Sequence, residues 1–429
     1  MKSFCLIVKI EINGKMVLAG HINGTSYLDA VFCYDDEYKN NQNYRPLSLS
    51  LPFSKTFFSV QETKNYFEGL LPEGFTRKAI ADSIHAEQDD YIYILKILGK
   101  ECLGAIQIID EQDNIIESAY KELSKEQVKA LAEEGASNAA SLVIESHLSL
   151  TGASGKTGLY YDEEKDKWFQ PLGSYPSNYI VKQSHIRYEK IILNEQLCLL
   201  TAEKLGIQIP KSFIIKLDEQ DTQDSKVLFA TKRYDRFIDE KSNKVGDIVV
   251  PYRLHQEDFA QVLGIRSSFK YEKNGEHYLK KMFEIILAYC ENPIEDSLKL
   301  WRICVFNYFI GNTDNHIKNY SLVYSKDMKK LCLAPCYDVI STRVYEKNIN
   351  EMSLSINGKL KIEEITRNDF EMEAKSIGLG PTVAMNIYDE IKSCFEKAIS
   401  ESADELEKLG FSDVKTLARK IIEQANVLD

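Results

Sequence analysis

Asp314, Asn319 and Asp338 stand in an order that suits phosphoryl transfer. Four residues separate Asp314 from Asn319, and Asp338 follows two short apolar runs joined by a polar turn. A carboxylate such as Asp314 can orient and deprotonate a hydroxyl, while Asn319 and Asp338 offer hard oxygen ligands to magnesium on nucleotide phosphates. Asparagine and aspartate also collect in ordinary turns, because their side chains bond nearby backbone. What favours chemistry over a plain turn is the ordered set of helix, loop, hairpin and second aspartate.

The elements that must hold these residues can be read on either side of them. Leu300, Ile303, Cys304, Phe306 and Ile310 recur at helical steps, so a helix is expected from Asp296 to Ile310. Gly311 sits where that helix should stop, since only glycine enters the left-handed cap without a Cβ clash. The polar loop Gly311–Asn319 then leads into a strand-like Tyr320–Tyr324, a turn at Ser325–Lys330, and a second apolar run, Leu331–Leu333. The hairpin returns Tyr337-Asp338-Val339 to the end that carries Asp314 and Asn319. The Asp-x-x-x-x-Asn spacing matches the protein-kinase catalytic loop, and Asp338 falls where a kinase's metal-binding aspartate would follow.

Upstream, Leu148–Gly158 is a small-residue loop rich in glycine, with Lys156 adding a positive charge. Such a loop lets backbone N–H groups approach phosphate oxygens. It is not a Walker A loop: Leu150 stands where the first glycine is required, and Gly158 and two tyrosines follow in place of a helix. Asn178–Lys182 reads as an apolar strand ending in a lysine, and Glu189–Leu205 as a helix closed by Gly206. Glu195 lies on the apolar face of that helix, where a carboxylate is costly unless paired. Lys182 is its natural partner, as in the lysine–glutamate pair that holds kinase phosphates. Strand-like Phe213–Leu217 and Val227–Thr231 lead to Lys232-Arg233-Tyr234, where a kinase hinge would meet adenine.

The 429 residues, 44% of them hydrophobic, can bury a large core in two or three domains. Sixty-five acidic against 53 basic residues, a net charge of −12, argues against a general phosphate-backbone binder. The 9 scattered cysteines, with no Cys-x-x-Cys pair, fit reduced thiols in a cytoplasm, and Cys332 and Cys336 alone make no zinc site. No apolar run reaches membrane-spanning length and the first residues do not read as a signal peptide, so a soluble cytoplasmic protein is expected.

The coarse plan is strands first and helices after. Strand-like runs are Phe4–Ile10, Lys15–His21 and Leu28–Tyr34, with hairpin turns expected at Asn13-Gly14 and Asn23-Gly24. Asp110–Ala140 is polar and acidic, holds one short helix near Lys125–Ala132, and reads as a connector. Helical patterns follow at Gln256–Leu263, His277–Cys290, Asp369–Ser376, Val383–Ser400 and Val414–Val427. The expected fold is α+β and two-lobed: a subdomain over 1–110, a connector over 111–147, an upper lobe over 148–235 and a helical lobe over 236–429.

The chain resembles the HipA-type serine/threonine kinase toxins of bacterial toxin–antitoxin systems over nearly its whole length. The resemblance rests on Arg45–Pro52, Phe67–Arg77, Leu103-Gly104-Ala105, the Ser149–Lys156 loop, Tyr179–Lys182, Gln256-Glu257-Asp258, Gly311–Asn319 and Tyr337-Asp338-Val339. It implies a protein-kinase-like fold with a β-rich N-terminal subdomain on the upper lobe, and ATP and Mg2+ as cofactors. It also implies an aminoacyl-tRNA synthetase (glutamyl-tRNA synthetase-like) as substrate, and a helix-turn-helix antitoxin, HipB-like, that binds operator DNA. By matching position, Asp314 is the catalytic base with Lys318 beside it, and Asn319 and Asp338 hold the metal. Thr151, Gly152, Ala153, Ser154, Gly155 and Lys156 belong to the phosphate loop, and Ser149 is the autophosphorylated residue that switches the kinase off. Lys182, Glu195 and His316 belong to the nucleotide site, with Lys232, Arg233 and Tyr234 as the adenine-facing hinge. The sequence departs from the family where the loop reads Gly152-Ala153-Ser154-Gly155-Lys156 rather than Gly-Ala-Gln-x-Lys. It departs again at the hinge, where Lys232 replaces an acidic residue, so only backbone contacts carry over there. Two other readings compete: a catalytically idle kinase fold acting as co-repressor with a DNA-binding partner, and a P-loop NTPase. The intact Asp314, Asn319, Asp338 and Lys182 argue against the first, and the missing glycine and helix against the second.

Overall fold

The computed structural model describes residues 3–55, 57–110, 118–133, 156–184, 188–273, 275–345 and 350–428. They form two compact units. The first comprises Met1–His185, Leu228–Ser267 and Val323–Lys330, and the second Ile186–Val227, Ser268–Leu322 and Leu331–Asp429.

In the first unit, strands β1 (Phe4–Ile12), β2 (Lys15–Gly24), β3 (Val31–Tyr34) and β4 (Ile106–Asp110) make an antiparallel sheet in the order β3-β2-β1-β4. Asn13 and Gly14 turn β1 into β2 with φ of +52° and +76°, the left-handed pair that a two-residue hairpin requires. The turn expected at Asn23-Gly24 is not there. Both residues pair in register with Cys5 and Phe4, and β2 runs on to Gly24. The chain reverses just beyond, where the Asp29 carboxylate accepts from the backbone N–H of Thr25 (2.9 Å) and Ser26 (2.7 Å). An aspartate side chain set this turn, so the dipeptide was the wrong signal.

A second antiparallel run in the same unit orders β5 (Ala119–Glu122), β7 (Lys167–Leu172), β6 (Lys156–Asp162), β8 (Tyr179–Lys182) and β10 (Val227–Lys232). Strand β5 falls inside the stretch read as a connector. Its pairing with β7 supplies the edge that the polar composition of this stretch concealed. The helix expected near Lys125–Ala132 is present as Lys125–Glu133. Strand β9 (Ser212–Lys216) belongs to the second unit.

Three guanidiniums and three carboxylates are buried together in the first unit. Glu101, with no exposed surface, accepts from Arg233 (3.2 Å), Arg236 (2.7 Å) and Arg253 (3.0 Å). Asp235 accepts from Arg233 (2.7 Å), Arg236 (2.9 Å) and the backbone N–H of Gly104 (2.8 Å). Glu11, at the end of β1, accepts from Arg253 (3.2 Å). Burial alone would raise the carboxyl pKa values, but the guanidiniums prevail: Glu101 is lowered and Asp235 is held at about 2. Gly104 has φ +68°, and a Cβ there would meet the backbone nitrogen of Gln256 at 2.8 Å, so only glycine lets this loop reach the cluster. A second buried carboxylate, Glu257, accepts from Ser48 and Tyr324, and burial raises its pKa to about 7. Ser48 lies in the Arg45–Pro52 run, which is thereby seated on Gln256–Asp258.

The expected helix Gln256–Leu263 is shorter: Gln256–Asp258 is a strand and only Phe259–Val262 is helical. Asp258 caps the Gln261 N–H (2.9 Å) while Gln261 reaches back to the Asp258 N–H (3.1 Å), so the helix cannot begin earlier. In the second unit the helices are Ile191–Lys204, Tyr278–Tyr289, Pro293–Ile310, Arg367–Ser376, Pro381–Lys408 and Val414–Ala425. Their core is aromatic, with Trp301, Tyr308, Phe370 and Tyr388 packed ring on ring, and with the Trp301 indole N–H on Ala384 O (3.0 Å). Pro293–Ile310 is buried along most of its length and carries the loop at its C-terminus.

Glu101 offers a sharp test. Glu101→Gln removes one of three negative charges facing three guanidiniums and should destabilise the protein by about 3–5 kcal/mol, seen as a lower denaturant midpoint. A midpoint shift equivalent to less than about 1 kcal/mol would show that the cluster does not hold this unit together.

Candidate active site

The helix Pro293–Ile310 ends as the sequence predicts, with Gly311 at φ +69° and its N–H on Tyr308 O (3.2 Å). The loop that follows is held by its own asparagines. Asn312 donates its side-chain N–H to Asn307 Oδ1 (2.9 Å), and Asn307 in turn donates to the Tyr320 hydroxyl (3.1 Å). Asn315 reaches the same hydroxyl at 3.3 Å. The Asn312 Oδ1 accepts the Asp314 N–H at 3.1 Å, and Asn319 Nδ2 donates to Asp314 O at 2.9 Å. Thr342 accepts the Thr313 N–H (2.8 Å) and donates to Gly311 O (3.0 Å). The loop is therefore tied at its start, centre and end before any ligand is considered.

Exposure sorts the loop by role. From Gly311 to Asn319 every residue is buried except Asp314 and Asn319, which are half-buried. The two groups chosen for chemistry are thus the two that reach the surface from a rigid base. His316 and Lys318 are buried, with the Tyr337 hydroxyl on Lys318 O (3.1 Å) and the His316 ring 5.2 Å from that of Tyr271. Asp338 is half-buried and has φ +57°, a left-handed backbone that costs energy for a residue with a Cβ and clusters at functional sites. Beyond it, the Ser341 N–H and O are both gripped by the Asn194 side chain at 2.9 Å.

The donor set suits a hard cation. Asn319 spends its Nδ2 on a backbone carbonyl, which leaves its Oδ1 as the group that can meet a metal, and Asp338 supplies a charged oxygen. No cluster of three or more His, Cys, Asp or Glu side chains fit for a metal occurs among the described residues. Two protein oxygens, with phosphates and water completing the shell, is the manner of magnesium.

The described nucleotide-side candidates lie in the first unit, apart from Glu195 and His316 in the second. Lys156 opens β6 and stands directly opposite Lys182 of β8 in the antiparallel register. Lys182 also lies 5.6 Å from the Phe229 ring centre. Lys232 pairs with Glu163 at 2.8 Å, Arg233 belongs to the buried ion cluster, and the Tyr234 hydroxyl bonds Gln256. All three side chains therefore serve the protein itself, and only backbone groups of this segment remain to meet a base. Glu195 is buried in the helix Ile191–Lys204. Ser149, Thr151, Gly152, Ala153, Ser154 and Gly155 lie outside the described residues.

Sequence reasoning missed Asn194, Asn307, Asn312 and Tyr271. The Tyr271 hydroxyl donates to Asp314 Oδ1 at 2.7 Å. Both residues line a cavity of about 520 Å3 in the second unit, together with Thr313, Ile340, Tyr345 and Met352. Asn307 was visible only as a polar residue interrupting a helical stripe, and nothing marked Tyr271.

The HipA-like C-terminal domain family matches residues 148–399 and the HipA N-terminal domain family residues 10–109. A putative kinase, Y4mE, of Sinorhizobium fredii is 27% identical over 411 residues, 93% of each chain. The serine/threonine-protein kinase toxin HipA of Shewanella oneidensis is 24% identical over 369 residues, 83% of this chain and 80% of that one. Among solved structures, the toxin–antitoxin complex of HipA, HipB and operator DNA from Shewanella oneidensis superposes with a TM-score of 0.76 at 19% identity, covering 97% of this chain and 96% of that one. The chain belongs to the HipA family, and its fold is the α+β, kinase-like fold of that family.

If the asparagine ties hold the loop, Asn312→Ala should remove the bonds to Asn307 Oδ1 and to the Asp314 N–H and cost about 1–3 kcal/mol. Hydrogen exchange should then quicken across 311–319 while the helix Ile191–Lys204 stays protected. Equal acceleration in both would make the effect global and the ties incidental.

Proposed function

We propose that this HipA-family chain is an ATP-dependent serine/threonine protein kinase and the toxin of a type II toxin–antitoxin pair. One observation carries the reading: Asp314 and Asn319 alone come to the surface of an otherwise buried, asparagine-tied loop. Asp314 is placed to orient an acceptor hydroxyl and take its proton, a role needing a fixed and partly exposed carboxylate. Asn319 and Asp338 would hold Mg2+, and Lys156 and Lys182 would face phosphate oxygens. ATP supplies the transferred phosphoryl group when bound, and the metal offsets its charge. The acceptor is an aminoacyl-tRNA synthetase, by the family resemblance. The partner is a helix-turn-helix antitoxin, by likeness to the protein solved with HipB and operator DNA. Ser149 is the self-phosphorylated residue: a phosphate adds about −1.5 to −2 charges, which would repel the nucleotide phosphates from the loop. No helix among the described residues is long and apolar enough to cross a membrane, and a cytoplasmic site of action fits the target.

The assigned roles separate by measurement. Asp314→Asn should leave Mg-ATP affinity nearly intact and lower turnover by ~10²–10⁴-fold. Asp338→Asn should weaken Mg-ATP binding itself, because an amide oxygen carries no full negative charge. Calorimetry paired with transfer assays distinguishes them, and exchanged phenotypes would exchange the roles.

Incubation of the protein with labelled ATP and a lysate of its host is expected to label one dominant protein, in a manner lost on Asp314→Asn. Nucleotide binding without any transfer would instead favour the idle co-repressor.

A further inference from the structure

We propose that Tyr271 is an acceptor-site residue: its phenol hydroxyl occupies, on Asp314, the hydrogen-bond position that an acceptor hydroxyl must take. The inference rests on the kinase reading of Asp314 and extends it to the acceptor side, which nothing so far assigns. A hydroxyl about to be phosphorylated must donate its hydrogen bond to the base carboxylate. The Tyr271 hydroxyl already makes such a bond, at 2.7 Å to Asp314 Oδ1. Both groups lie on the wall of the 520 Å3 cavity, so an acceptor reaching Asp314 through it meets the phenol as well.

The surroundings make the phenol movable and its backbone fixed. The Lys270 carbonyl accepts the Ile317 N–H at 3.4 Å, and the Glu272 N–H donates to Ser353 O at 3.0 Å. The Glu272 carboxylate accepts the Ser355 N–H at 3.0 Å and also its hydroxyl. The residues on either side of Tyr271 are therefore pinned to the catalytic loop and to the strand Glu351–Ile356. Tyr271 is 46% exposed, its ring touches His316 edge to face at 5.2 Å and lies 5.4 Å from the Lys270 ammonium, and rotation about its own bonds would release Asp314 without unpicking the backbone. Tyr271 thus acts as an internal competitor, and an acceptor binds only if it replaces that hydrogen bond. Such a competitor favours acceptors that bring further contacts into the cavity, whose walls include the apolar Ile340, Met352 and Leu360. It disfavours hydroxyls that arrive with nothing else.

The test uses the full chain, Mg-ATP and, as probe, the purified protein labelled in the lysate experiment, with wild type, Tyr271→Phe, Tyr271→Ala and Asp314→Ala assayed side by side. Tyr271→Phe keeps the ring against His316 and removes only the competing hydroxyl. It should lower the acceptor KM by roughly three- to tenfold, the scale of one partly solvated hydrogen bond to a charged group, with kcat little changed. Tyr271→Ala should show the same lowering. A residue that merely supported the loop would do the opposite, reducing kcat or raising KM, and that result overturns the proposal. An unchanged acceptor KM in Tyr271→Phe, alongside robust Asp314-dependent transfer by wild type, overturns it alone and leaves the kinase reading standing. Absence of any Asp314-dependent transfer overturns the kinase reading and this inference with it.

Discussion

Six charges buried together have to be balanced against one another, and that requirement organises the first unit. Glu11, Glu101 and Asp235 offset Arg233, Arg236 and Arg253, and no member can leave without stranding a charge in a low-dielectric interior. The members come from the end of β1, from the loop before Gly104, and from the segment after β10. Closing the cluster therefore brings the N-terminal sheet to the exit of β10 and the start of β8, the end of β8 opposite Lys182. Buried ion groups of this kind add little net stability over an apolar core. The observed arrangement pairs all six, so a shift of any one segment would break ion pairs to the others. The consequence reaches the candidate hinge: the Arg233 side chain is committed to the cluster and its backbone N–H to Asn178 O, so Arg233 offers a ligand neither.

In the second unit the same principle works through neutral groups. A loop that must project one carboxylate and one amide while burying its other side chains has to satisfy many polar atoms out of water. Asn307, Asn312 and Asn315 do so by bonding one another, Tyr320 and the backbone. This explains why a catalytic loop can be rich in asparagine without being a flexible turn. It also explains how Asp314 and Asn319 keep a fixed separation, since the Asn319 amide is bonded to the Asp314 carbonyl. Preorganisation of this sort lets a base contribute to rate without reorganising at each turnover.

Where a single residue determined geometry, the sequence was readable. Gly311 ended its helix, Asn13-Gly14 made its hairpin, and the helix, loop and hairpin around Asp314 lie within three residues of expectation. Where geometry depended on partners far along the chain, it was not readable. Asn23-Gly24 looks like a turn by local preference, but pairing with Phe4 and Cys5 kept it extended and handed the reversal to Asp29. Ala119–Glu122 is polar because an edge strand has a face to water, and polarity was mistaken for a connector. Gln256–Leu263 has helical spacing, yet the cap at Asp258 delays the helix by three residues. The buried cluster drew its six members from stretches up to 242 residues apart, which no local pattern could join.

Tyr271 shows the same limit at the site itself. Asp314, Asn319 and Asp338 can be picked out as candidates by spacing, because phosphoryl-transfer chemistry fixes such separations along one loop and hairpin. The acceptor side has no such constraint. The proposed acceptor-side residue comes from a segment more than 40 residues before Asp314, which the hydrogen bond at 2.7 Å, the ring contact with His316 and the shared cavity wall bring to the loop. A bond made by a movable, exposed side chain to a fixed carboxylate is weak enough to exchange and directional enough to select. Phosphate-side residues are therefore legible because every such enzyme must handle the same nucleotide. Acceptor-side residues answer to one partner's shape, so they are found only by asking what already occupies the hydrogen-bonding position the acceptor needs.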